Sequence, residues 1–128
     1  MKLFKSILLV CLAAFSALSF AGEIKPYAQA EFDKLNAEGK GVVLAIHAPW
    51  CPTCKAQTPI QSELMGSSSF KDVTMMTIDF DSQKELLANL KVTMQSTIIA
   101  FKGSKEVGRS VGDSSRKGIE TLFKKTLN

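Results

Sequence analysis

Gly41-Val42-Val43-Leu44-Ala45-Ile46, followed after His47-Ala48-Pro49 by Trp50-Cys51-Pro52-Thr53-Cys54-Lys55, is the stretch that decides the fold. Its first part is apolar and β-branched, the pattern of a strand buried on both faces of a sheet. Pro49 and Pro52 then bracket a turn, and Pro52 suits the first turn of a helix, where its missing N–H costs no intrahelical bond. A helix is therefore predicted to begin at about Cys51. Two cysteines three apart on one turn can close a small disulfide, and the first sits among unpaired N–H groups at the positive end of the helix dipole. That setting favours a thiolate, the species that attacks disulfides. Cys51 is read as the nucleophile, expected to be reached by solvent, and Cys54 as the resolving thiol. A Cys-X-X-Cys pair taken alone is equally half a zinc site.

The residues around the pair resemble the active site of the thioredoxin superfamily, which reads Trp-Cys-X-X-Cys-Lys after a buried strand. Pro59 stands where thioredoxins kink the active-site helix, and Phe101-Lys102-Gly103 followed by Val111-Gly112 is similar to their closing hairpin. The Pro52-Thr53 dipeptide looks most like that of the periplasmic thioredoxins of cytochrome c maturation, which are longer chains. The resemblance spans residues 24–127 and implies an α/β thioredoxin-like fold, a central mixed β-sheet flanked by helices. It also implies thiol-disulfide oxidoreductase activity with no cofactor beyond the Cys51–Cys54 pair, acting on protein thiols and disulfides with an electron-transfer partner still to be identified. Trp50, Pro52, Thr53 and Lys55 would surround the site, and Gln95, Ser96 and Thr97 would line the substrate groove.

Two positions depart from the family pattern. Thioredoxins bury an acid in the central strand, where this chain has Ala45; Glu63, farther along the active-site helix, is not expected to replace it. Thioredoxins also place a cis-proline before a threonine, where this chain has Ser96 before Thr97. A cis bond costs about 2.5–4 kcal/mol before an ordinary residue but only about 0.5–1 before proline, so the Gln95–Ser96 bond is expected to be trans. The altered loop would leave the thiols more open to metal or shape the groove for an unusual substrate, with the Ser96 hydroxyl available to Cys51. Ser96→Pro is expected to raise turnover on insulin and to reduce any copurifying metal.

The first 21 residues read as an export signal. Lys2 and Lys5 precede a mostly apolar run from Ile7 to Phe20, and Ser19-Phe20-Ala21 places small residues where a signal peptidase reads them. Cleavage after Ala21 would leave a thioredoxin-like domain at 22–128 in the periplasm and remove Cys11. The apolar run is short of the roughly 20 residues that span a bilayer, so a membrane is involved only if the signal is retained. Lys2 and Lys5 supply half of the net charge of +4. The remaining basic residues form no stripe interleaved with aromatics, and no nucleic-acid partner is expected.

Elsewhere the pattern predicts a surface helix over Tyr27–Asn36, a strand over Val73–Ile78, a short helix over Gln83–Leu90, a hairpin of strands Thr97–Phe101 and Glu106–Val111 turning at Gly103-Ser104, and a last helix over Ser114–Thr126. Trp50 reads as a flat docking surface beside the thiolate, Lys55 as a solvated charge, and His47 as a packed side chain on its strand. Met65, Met75, Met76 and Met94 read as core filler. Two readings from other classes stand beside the oxidoreductase: a module whose cysteines hold a metal or cluster, across a dimer because one chain brings two thiols, and a redox-silent chaperone-like domain that uses only the groove.

Overall fold

The computed structural model describes residues Phe20–Asn128; the proposed signal, except its last two residues, lies outside the described part. Five strands form one mixed sheet in the order β1-β3-β2-β4-β5. They are β1 (Glu23–Pro26), β2 (Gly41–His47), β3 (Thr74–Asp79), β4 (Thr97–Lys102) and β5 (Lys105–Val111). β3 pairs parallel with both β1 and β2, while β4 runs antiparallel to β2 and β5 antiparallel to β4. Among the described residues, four α-helices cover the sheet: α1 (Gln29–Ala37), α2 (Pro52–Met65), α3 (Lys84–Asn89) and α4 (Arg116–Lys124).

β2 is central, and every residue from Gly41 to Ile46 is buried, as its unbroken apolar run requires. Because a strand alternates faces, β2 feeds two cores. Val43 and Ala45 join Leu64, Met65, Met75, Ile98, Ile119, Leu122 and Phe123 beneath α2 and α4. Val42, Leu44 and Ile46 join Phe32, Met76, Ile78, Leu87, Ile99 and Phe101 beneath α1 and α3. Edge-to-face ring pairs, Phe70 on Phe123 in the first core and Phe32 on Phe101 in the second, lock the two layers.

The expected elements are present, with one strand missed and the first and last helices each starting two residues later than expected. β1 is a four-residue edge strand whose Ile24 is 44% exposed, too short and too exposed to give a periodic signal. The helix expected from Tyr27 begins at Gln29, because the Tyr27 N–H is spent on Thr77 O, extending the β1–β3 ladder. α2 runs unbroken through Pro59. The hairpin turns at Gly103-Ser104 as expected, and Gly103 has a positive φ of 61°. Met65, Met75 and Met76 are core residues, whereas Met94 is 49% exposed on the loop before β4, so the core-filler reading fails for it.

Gly41, the first residue of β2, lies against the chain's last turn: a Cβ there would stand 2.6 Å from Thr126 O and 2.9 Å from Thr126 Cβ. The obstacle is backbone and does not swing away. Gly41→Ala is therefore expected to lower unfolding free energy by about 1–3 kcal/mol. A urea titration checks this, the midpoint falling with the slope unchanged.

Candidate active site

The two thiols sit where β2 hands over to α2. Cys51 is the N-cap residue of α2, with extended φ and ψ of −89° and 110°, and its Sγ accepts the Cys54 N–H at 3.1 Å. A cysteine sulfur thus fills the role that serine or aspartate oxygens fill at other helix starts. Pro52 follows at the first helical position, as the sequence requires. The two cysteines are free thiols.

Cys51 is fully buried, not reached by solvent as expected; it clusters with Ala48 and Cys54 against Phe80. Sequence spacing placed it correctly at the helix start but does not report which residues fold over it. Access to its sulfur then requires these neighbours to move. Cys54 is buried as well, and its thiol is pushed above the ordinary value, first by burial and next by its hydrogen bond to the Cys51 sulfur. The backbone N–H groups of Ala48 and Ser96 pull it the other way. The pair is therefore unequal: Cys54 holds its proton, and its thiol donates to Ile46 O at 4.0 Å.

Trp50 is 55% exposed beside the thiols, its indole N–H donating to Asp81 Oδ2 at 2.9 Å and its ring edge-on to Phe80 at 6.4 Å. It is a fixed, open surface, not core packing. Pro52 and Lys55 are exposed and Thr53 is half-buried. Glu63 is committed to an ion pair with Arg116 at 2.6 Å, away from the thiols.

The Gln95–Ser96 bond is trans, as expected. Ser96 takes φ of 60°, in the left-handed region, and Ser96 and Thr97 are both buried. The loop's surface is accordingly made by half-buried Gln95 and exposed Met94, not by the side chains of Ser96 and Thr97. What Ser96 brings to the site is its backbone. Its N–H donates to Ile46 O at 2.9 Å, and its carbonyl accepts from Gly112 N and from the Gln57 amide at 3.1 and 3.0 Å. The same Gln57 Nε2 reaches Asp113 O at 2.9 Å. Gln57, buried on α2 one turn past Cys54, thus ties the active-site helix to the two loops beside it. The sequence reading missed it, because its partners lie 39 and 56 residues away.

Beneath Cys54 is a cavity of about 330 Å3 between α2 and the sheet. Ala45 forms part of its wall in place of an acid, with Gln57 and Gln61 of α2 and Thr77 of β3. His47 also lines it. The expectation that His47 is a packed side chain fails: it is the one exposed residue of β2, at the strand's end where the covering layer stops. Among the described residues, no group of three or more His, Cys, Asp or Glu is placed to share a metal.

A mixed sheet with a dithiol at a central strand's end and at a helix N-terminus defines the thioredoxin-fold class of thiol-disulfide oxidoreductases. Residues 23–125 match the family model Thioredoxin. Thioredoxin H2-1 of Oryza sativa is 33% identical over 103 residues, covering 75% of this chain and 73% of that protein. Thioredoxin Asp f 29 of Aspergillus fumigatus is 37% identical over 82 residues, 63% of this chain and 74% of that one. The crystal structure of Trxlp from Edwardsiella tarda EIB202 superposes with a TM-score of 0.75 at 33% identity, covering 78% of this chain and 98% of that one. The chain belongs to the thioredoxin family, and its activity is thiol-disulfide exchange.

A proline at position 96 meets two obstacles whatever it does for turnover. Its ring fixes φ near −65°, against the observed 60°, and it has no N–H for Ile46 O. Ser96→Pro is expected to lose roughly 1–3 kcal/mol of stability. Ser96→Gly, which keeps the N–H and adopts positive φ freely, is expected to match or exceed the wild type in the same denaturation experiment.

Proposed function

We propose that the chain is an exported thiol-disulfide oxidoreductase in which the Cys51 thiolate attacks a protein disulfide and Cys54 resolves the resulting mixed disulfide. The observation that carries this assignment is the hydrogen bond from Cys54 N–H to Cys51 Sγ at the start of α2. A peptide N–H and the positive helix end stabilise negative charge on that sulfur. Cys54, one turn inside the helix, is held as a neutral thiol by burial. In the first step Cys51 Sγ forms a bond to one substrate sulfur and the other leaves as thiolate. In the second, Cys54 Sγ bonds Cys51 Sγ and displaces the remaining substrate sulfur, so the substrate gains two electrons and the protein becomes the disulfide. An external dithiol must return it to the reduced form; run backwards, the same steps oxidise a substrate dithiol.

Exposed Trp50 and Met94 flank this chemistry and supply apolar area for an unfolded or extended peptide around the target disulfide. Export is supported by the basic start, the apolar run and the small residues up to Ala21. Cleavage after Ala21 would leave residues 22–128 as a periplasmic domain.

Two measurements test this reading. Cys51→Ser is expected to abolish insulin reduction, while Cys54→Ser accumulates one substrate per protein as a mixed disulfide on Cys51; a Cys51→Ser protein that still turned over would reverse the roles. Intact-mass analysis of protein from the native compartment is expected to give a chain starting at Gly22, and a membrane-bound species retaining Met1–Ala21 would replace export with anchoring.

A further inference from the structure

The resolving step requires Cys54 to lose a proton it holds tightly, and the wall beside it offers no carboxylate, since that place on β2 is Ala45. Two residues farther along the same face of β2 is His47, which lines the same cavity of about 330 Å3 as Cys54. Such a volume has room for several waters, at about 30 Å3 each. His47 is also exposed, so a proton arriving there passes on to solvent. Across the β2–β3 register it stands opposite Asp79, and the two interact electrostatically. Asp79 is fixed by Ser82 Oγ at 2.6 Å and by Asp81 N–H at 3.3 Å. Its carboxyl lies below the usual range, because of the Ser82 hydroxyl first, then the Asp81 N–H, with His47 adding to the effect. The other groups that α2 and β1 bring to the mouth of the cavity, Thr58, Ser62 and Ile24, carry no charge. His47 is thus the side chain on this cavity whose ring can both accept a proton and release it.

We propose that His47 accepts the Cys54 proton through the cavity during resolution of the mixed disulfide, and that the Asp79 carboxylate holds the imidazolium that forms. This rests on the assignment of Cys51 as nucleophile and Cys54 as resolving thiol. The Cys54 S–H bond breaks, its proton passes to the imidazole, and the Cys54 electron pair bonds to Cys51 Sγ as the substrate sulfur leaves as thiolate. The imidazolium then returns its proton to solvent. In the reverse direction the imidazolium protonates the departing Cys54 thiolate.

Dithiobis-nitrobenzoate separates the two steps, because Cys51 releases one coloured thiolate on attack and Cys54 releases the second on resolution. In stopped-flow mixing with the reduced chain carrying Cys11→Ser, so that Cys51 and Cys54 are its two thiols, His47→Gln is expected to leave the first release unchanged. It should slow the second by roughly 100-fold and change its pH profile. Asp79→Asn should slow the same release, since the imidazolium that forms loses its anion. Ala45→Asp placed in the His47→Gln protein should restore the second release by supplying a carboxylate on the same wall, which a merely structural role for His47 does not predict. A His47→Gln protein whose second release keeps its rate and pH profile overturns the proposal. Undiminished release of two equivalents by Cys54→Ser would instead overturn the assignment of Cys54 on which the proposal stands.

Discussion

The hydrogen bond from Cys54 N–H to Cys51 Sγ, 3.1 Å long, is the contact around which the site is built. It makes a cysteine the N-cap of the active-site helix, so the same geometry that satisfies an orphan helix donor also directs an N–H at that sulfur. Position follows from the fold on both sides of it. β2 is buried on both faces and ends at His47, which fixes where the turn can occur, and Pro52 fixes the helix entry. The inequality of the thiols follows too, because one turn into the helix Cys54 is covered by the sheet and its charged form is disfavoured.

The loop around Ser96 does by backbone hydrogen bonding what a rigid ring would do by shape. Ser96 donates to Ile46 O and accepts from Gly112 and Gln57, so β2, α2 and the end of β5 all meet at one residue. A positive φ on a serine is tolerated there because these three bonds determine the loop's course. Its N–H also acts on Cys54, a contribution that proline cannot make. The departure from the family pattern at this position is therefore compensated within the site, and Gln57 is the side chain that supplies the compensation.

Local signals made most of this legible. An unbroken run of six buried residues and a proline after a cysteine leave little choice for β2 and the start of α2, and Gly103-Ser104 sets the hairpin. What escaped reading depends on distant partners. β1 is too short to carry a pattern and is defined by its register on β3. Cys51 lies at the predicted helix start, yet its burial comes from Ala48 and Phe80 closing over it. His47 and Ala45 share a strand face, but only the sheet's extent decides that one is covered and the other open. Gln57 reads as an ordinary helix residue until the loops of Ser96 and Asp113 are brought to it.

The account stands on Cys54 being the thiol that keeps its proton. Following the Cys54 13Cβ shift against pH in the reduced protein measures this directly. The account predicts an inflection above the ordinary thiol value of about 8.5. Because the folded chain holds this proton more tightly than the unfolded one, the associated stability is complete below that ordinary value and is lost as pH rises through the folded one. An inflection at or below the ordinary value would contradict the unequal pair, and with it the division of labour between Cys51 and Cys54.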